Sequence, residues 1–458
     1  MKLTGNYLIK NLNTSIVSVI VFALAAVIRL FFRDDHGGRT IFIMGSFAVS
    51  YYAYHNLNTH WRKISKGILI GLSIFMLLTL TIESLKAATS NNEFDFMCFY
   101  MQGQLGLHHL NFYDPHSLKI LLQSNNFNYT FSPGFKSQII DVGLLSPPIT
   151  MLFYAPLSSI DYHASRLILT ILIFVFIFGN AVLANKIFVK NDRSFYSFLF
   201  ILLIIMFLPG TSETIGYNQS NFFLLFFLLL AIYKINKPIS GFYLALSLII
   251  KPISGFLMLF FISAKKWKCT IYFVATLIVL FAITGFLWGF QNIIGFFQSP
   301  PTQRLPQDLY VQEINQSFIG VLNRNLARYH LSQMLINSIF YFFATIMVLL
   351  SYLAAKRLNK LNLYLSFFVF VPCMLMIYPS SLWHYMVYLT PLLVYLLLRK
   401  RKQNKKYFWI IILPAISFLG TEVFFSYLIL WIALLSIAFL FSSNEKIHEE
   451  FKGVAEIS

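Results

Sequence analysis

The sequence predicts an all-α integral membrane protein, a bundle of helices that cross a bilayer many times. Three observations carry this expectation. Hydrophobic residues make up 58% of the 458 positions, charged residues only 11%, and 50 positions are phenylalanine, a balance that belongs to chains dissolved in lipid. Long apolar runs alternate with short basic connections, and a spanning helix needs roughly 17 to 25 such residues. The apolar–polar alternation of a membrane barrel is absent, which leaves helices, whose backbone groups satisfy each other, as the spanning architecture.

The first apolar run, 15–32, lacks a small-residue cleavage site after it and is expected to stay as a helix. Further runs cover 40–54, 67–82, 146–160, 164–185, 194–208, 221–233, 239–263, 270–288, 334–354, 361–378, 385–398, 407–420 and 423–441. That is about 14 crossings if every one spans. The chain then divides into N-terminal helices (1–86), a first large periplasmic loop (87–145) and central helices (146–289). A second periplasmic loop (290–331), C-terminal helices (332–441) and a cytoplasmic tail (442–458) follow. Within the first loop, stretches such as 117–122 read as short interfacial helices.

The formal charge of +18 would point to nucleic acid in a soluble protein, but the 35 basic residues are scattered in short connections between apolar runs. Arg62-Lys63 with Lys66, Lys265-Lys266 with Lys268, Lys356-Arg357 with Lys360, and the run 399–406 mark the inner face of an inner membrane. Asp95, the 290–330 loop and His384 then fall on the periplasmic side, and no nucleic-acid partner is expected. Lys186, Lys190, Arg193, Lys234 and Lys237 also fall outside if all 14 runs cross, against the charge rule. The alternative is about 12 crossings with two re-entrant segments, 146–160 with Pro147, Pro148 and Pro156, and 239–263 with Lys251-Pro252 at its centre. Cys98, Cys269 and Cys373 follow no metal-ligand or disulfide spacing.

A few polar residues stand out against this background. Asp95, in Glu93-Phe94-Asp95-Phe96-Met97-Cys98-Phe99-Tyr100, is either a catalytic carboxylate at the membrane surface or the cap of an interfacial helix. Tyr100 and Tyr113 suit a wall on which a sugar stacks, while Asn111 to Pro115 also reads as an Asx–Pro turn. Asn315, Gln316 and Ser317 both donate and accept hydrogen bonds, as sugar hydroxyls require, and Arg324 offers a planar fork for phosphate; an exposed polar loop is the alternative. Trp383 and His384 sit at the outer end of a helix, either in an aromatic belt or with the imidazole binding phosphate or moving a proton. Lys251 interrupts about 25 apolar residues next to Pro252, which suggests a broken helix or a snorkelling side chain.

In this order these pieces resemble glycosyltransferase family 87, the polyprenol-phosphate-mannose-dependent mannosyltransferases of the membrane-embedded GT-C class. The resemblance rests on Asp95-Phe96 with Tyr100, Asn111 to Asp114, Pro147-Pro148, Gly216 to Asn221, Lys251-Pro252, Asn315 to Ser317 and Trp383-His384. Two features depart from the pattern: the family's Gly-Gln-x-Asn reads Gly216-Tyr217-Asn218-Gln219-Ser220-Asn221, and two extra helices precede Gly67. The resemblance implies a GT-C-like bundle in the all-crossing arrangement of about 14 helices, a hexosyl donor carried on polyprenyl phosphate, and a glycolipid or glycan acceptor, with Asp95 acting at the acceptor hydroxyl. No nucleotide cofactor and no resident metal is expected, although metal assistance stays open. Rival readings are a flippase of a lipid-linked sugar and a ligase or polymerase of surface polysaccharide.

Overall fold

The computed structural model describes residues 14–31, 36–89, 95–123, 146–189, 195–298, 311–313, 315–326, 329, 331–398 and 423–440. Among them the regular structure is helical, apart from one isolated antiparallel bridge between Asn315 and Leu382. The first helices are α1 (Thr14–Phe31), α2 (His36–His55), α3 (Arg62–Thr89), α4 (Phe96–Leu107), α5 (Pro115–Gln123), α6 (Met151–Ser158) and α7 (Tyr162–Phe188). Next come α8 (Phe195–Phe207), α9 (Pro209–Gly216), α10 (Asn221–Tyr233), α11 (Ile239–Ile250), α12 (Met258–Ser263), α13 (Trp267–Trp288) and α14 (Phe290–Gln298). The chain continues through α15 (Phe318–Leu326), α16 (Gln333–Leu361), α17 (Leu363–Phe368), α18 (Phe370–Ile377), α19 (Thr390–Leu398) and α20 (Val423–Leu440). The expected run 407–420 and the tail from 442 lie outside the described residues.

Among the described residues, Arg62–Ala88, Tyr162–Phe188, Trp267–Trp288 and Gln333–Leu361 are each long and apolar enough to cross a membrane, and α8 with α9 makes a fifth such unit, bent by 68°. Side-chain oxygens set several helix starts: Asp161 accepts from the N–H groups of His163 and Ala164, and Asn362 from those of Tyr364 and Leu365. The pair α1 and α3 packs through small residues, because a Cβ on Gly67 would stand 2.6 Å from Val17 and one on Gly71 2.5 Å from the Ser18 carbonyl.

The basic connections gather at one end of the bundle. Lys66 stacks over Tyr196 at 4.6 Å, Lys186 and Lys234 both cover the Tyr233 ring, and Lys266 donates to Asn236 at 3.0 Å. This basic end is the reference against which two ambiguous segments are placed.

Neither of those segments runs through the bundle. Residue 239 leaves the basic end, and the chain returns to it at 263: the Cys269 thiol donates to the Lys237 carbonyl at 3.5 Å, and Gly241 lies against the Cys269 carbonyl. The segment is a hairpin with Lys251 at its tip, where Pro252 removes a helical N–H and forces Lys251 into an extended conformation (φ −153°, ψ 139°). The 146–160 segment lies beside α4 instead. Gln102 donates to the Ser146 carbonyl at 3.2 Å, Tyr100 to the Ile160 carbonyl at 2.7 Å, and Gln104 to the Ser158 carbonyl. Both ends of the segment thus meet one short stretch of α4, whereas a straight 15-residue helix would part them by about 22 Å.

Candidate active site

Four pieces of chain converge on the tip of the 239–263 hairpin: the start of α4, the turn between α9 and α10, the hairpin itself and the 3₁₀ turn Trp383–Leu389. Lys251 is buried. Its Nζ donates to Gln219 Oε1 at 2.5 Å, lies 3.5 Å from His384 Nε2, and sits 4.4 Å over the Tyr385 ring. Hydrocarbon gives a lysine none of these partners, so the site is the compensation that lets the charge stay inside.

Asp95 occupies the N-cap position of α4, yet its side chain makes no capping bond. The carboxyl group instead neighbours Lys251 and the Gln219 side chain, both of which favour its charged form. Asp95 keeps some accessible surface while its carboxyl group is packed round by protein. Burial raises its pKa above the usual carboxylate range, and the Lys251 charge and the Gln219 bond oppose that rise. Its backbone is in the left-handed region (φ 41°), a costly conformation for a residue with a Cβ.

His384 is held from behind. Its carbonyl accepts from Asn221 Nδ2 at 3.3 Å and from Thr214 Oγ1 at 3.4 Å, and its ring meets Tyr385 edge-on at 4.6 Å. Gly210 is required nearby, since a Cβ there would stand 2.9 Å from the Trp383 carbonyl. Tyr388 donates to Asn221 Oδ1 at 2.7 Å, which fixes the amide that supports His384. Trp383 is half-buried, with its indole N–H enclosed and without an acceptor.

Of the residues singled out in the sequence, Asp95, Lys251 and His384 meet in this cluster. The others, Trp383 apart, bond chiefly to the backbone. Tyr100 donates to the Ile160 carbonyl, and Tyr113 donates to the Ser146 carbonyl at 2.7 Å while its ring covers Gly295. Asn315 Nδ2 and Ser317 Oγ both lie 3.0 Å from the Pro379 carbonyl, and the Gln316 N–H donates to the Ser381 carbonyl at 2.6 Å. Gln316 Oε1 also accepts from the Phe424 N–H at 2.9 Å. Arg324 donates to the carbonyls of Gln312 and Asn315 at 2.8 and 2.7 Å. The Asn-Gln-Ser stretch thus ties down the strand-like segment that leads into Trp383 and His384. Asp114 caps α5 through the His116 and Ser117 N–H groups, which hold its carboxyl below the ordinary range.

Sequence reasoning did not single out Gln219 or Tyr385 as site residues. Gln219 lay within a motif that departs from the family pattern, and Tyr385 is one of 25 tyrosines in an aromatic-rich chain. The usable signal for Gln219 was its neighbourhood, with Asn218, Gln219, Ser220 and Asn221 in succession just before the strongly apolar run 222–233. Among the described residues, no group of three or more His, Cys, Asp or Glu side chains could hold a metal ion.

Fold and site together define a polytopic membrane protein with a buried cluster of ionisable and polar side chains. The chain belongs to glycosyltransferase family 87, whose model matches residues 145–379, just over half of the 458. It is therefore a membrane glycosyltransferase. The matched range contains Gln219, Lys251 and Asn315 to Ser317, while Asp95 lies well before it and His384 just after it. No curated protein and no solved structure matches the chain.

Proposed function

We propose that the protein transfers a hexose, mannose in the first instance, from a polyprenyl-phosphate-linked donor to a glycolipid or glycan acceptor at the periplasmic face of the inner membrane, within a GT-C-like bundle. The observation that carries this reading is the opposition, in one buried site, of the Asp95 carboxylate to the Lys251–His384 pair across the Gln219 amide. A displacement with inversion needs a base on one side of the anomeric carbon and a place for an anion on the other. Asp95 accepts the proton of the acceptor hydroxyl as its oxygen bonds to C1. The C1–O bond to phosphate breaks, and the polyprenyl phosphate leaves with the bonding electrons toward the Lys251 ammonium and the His384 ring. Asp95 then releases its proton to water.

Position in the bilayer supports the donor class. The 12 residues of α11 rise about 18 Å from the basic end, which leaves Lys251 below the far surface of a ~30 Å hydrocarbon layer. A phosphate anchored on a lipid chain reaches that depth readily. With the basic end cytoplasmic, the fold-back of 146–160 and 239–263 favours about 12 crossings, obeys the charge rule at Lys186, Lys234 and Lys237, and leaves Gln219 on the same side as Asp95.

The test is transfer of radiolabelled mannose from synthetic polyprenyl-phosphate mannose to membrane lipids, comparing wild type with Asp95→Asn at equal expression. Transfer by wild type that disappears in the variant supports Asp95 as base. Equal transfer removes it from the mechanism, and movement of label across the membrane without a new glycosidic bond favours a flippase.

A further inference from the structure

Arg166 is among the largest fully buried side chains of the described protein, one helical turn into α7. A guanidinium in such surroundings is costly and is retained for a reason. Its Nη2 donates to the Ala87 carbonyl, near the end of α3, and to Asn218 Oδ1 at 3.4 Å, while its plane lies over the Tyr162 ring at 5.6 Å. Asn218 answers with Nδ2 bonds to Thr170 Oγ1 at 2.6 Å and to the Arg166 carbonyl at 3.4 Å. Asn218 also carries a positive φ of 50°, so the turn it makes is one that the surrounding bonds must hold in place. The next residue is Gln219, whose N–H is fixed to the Thr214 carbonyl at 2.8 Å.

We propose that Arg166 is a positioning residue that pins the Asn218 turn and thereby aims the Gln219 amide between Asp95 and Lys251. An amide has one accepting and one donating end. With Oε1 committed to Lys251 at 2.5 Å, the NH₂ end is the one left for the Asp95 carboxylate. The amide thus keeps base and cation separate, each free for its own task, where direct pairing would neutralise the base and fill the phosphate site. When the pin is lost, the turn relaxes from its left-handed conformation and the amide withdraws. This assignment rests on the reading of Asp95 as the base.

The experiment compares Arg166→Lys, Gln219→Leu and the double variant in purified full-length protein, measuring kcat, donor KM and the pH dependence of transfer. Each single variant is expected to lower kcat about tenfold or more, the scale of a lost hydrogen bond to a charged group, with little change in KM. Each is also expected to move the acid limb to higher pH, because Asp95 loses a donor. The double variant is expected to be no slower than Gln219→Leu alone. Multiplying defects, or an Arg166→Lys enzyme with an unmoved acid limb, overturn the proposal. Asn218→Gly keeps a turn that glycine adopts freely but removes the Arg166 acceptor, so thermal midpoints of Arg166→Lys, Asn218→Gly and their combination read the pin without activity. If the wild type transfers nothing from this donor, the transfer reading fails, and those midpoints decide alone: non-additive shifts support the pin and additive shifts overturn it.

Discussion

The cluster around Lys251 and the cluster around Asn315 are both buried, polar and enclosed by apolar helices, yet their side chains face different things. At Lys251 the polar atoms face one another: carboxylate, amide, ammonium and imidazole in succession. At Asn315 they mostly face the chain itself, at the Pro379 and Glu313 carbonyls and the Phe424 N–H, with one bond from Ser317 Oγ to Asn315 Oδ1. Polar side chains that satisfy the backbone hold a fold in place, whereas side chains that satisfy only one another are open to exchange a partner for a substrate. The second cluster serves the first, since the backbone it fixes runs directly into His384.

The sharpest way to break this contrast is Asp95→Asn, which is expected to remove about 10²–10⁴-fold of the transfer rate while leaving the thermal midpoint of the detergent-solubilised protein unchanged or raised. A variant that transfers normally would reduce Asp95 to a residue at a helix start. Lys251→Gln follows, with a loss of about 10²–10³-fold, the usual scale for one donor to a developing anion, read as kcat at saturating donor.

The pH dependence sharpens the same point. In the proposed mechanism Asp95 works deprotonated, and burial raises its pKa, so transfer is expected to fall as pH drops through a value above the ordinary carboxylate range. Lys251 lowers that value; in Lys251→Gln the acid limb is therefore expected at still higher pH, and a limb that moves down contradicts the pairing. At the Asn315 cluster, Gln316→Leu strands the Phe424 N–H at the start of α20. It is expected to cost about 1–3 kcal/mol of stability, seen as a thermal midpoint lowered by several degrees with donor KM intact. The smallest effect belongs to Tyr100→Phe, which loses the bond to the Ile160 carbonyl and a long one from Gln104 at 3.4 Å, about 1 kcal/mol. A tenfold rise in its KM would return Tyr100 to the sugar site.

The membrane fold was legible because composition and apolar run length reflect a solvent constraint that every span obeys. For 239–263, Lys251-Pro252 and the basic connections that broke the charge rule pointed to a fold-back only as the alternative, while the family resemblance favoured 14 crossings, so the hairpin is read from the contacts at its feet. Asp95, Lys251 and His384 could be read as ionisable groups out of place in oil. Asn315 to Ser317 and Arg324 carry the same chemistry whether they face a sugar or a carbonyl, so only geometry separates the two uses. Gln219, Tyr385 and Arg166 gain their meaning from contacts far along the chain, as the bond of Lys251 to Gln219 across 32 residues and its stacking on Tyr385 illustrate, and no local pattern encodes such distances.

The hairpin has its two feet on the basic face and a single lysine at its summit. Its 12-residue first arm acts as a gauge of about 18 Å measured from one surface of the membrane, and the gauge is indifferent to where the opposite surface lies. Bilayers differ in thickness by a few Å, and all of that variation falls on the stretch between the lysine and the far face. One helical turn added to or removed from the arm would shift the summit by about 5.4 Å, so under the proposed mechanism the height of the reaction is written in the length of this one arm.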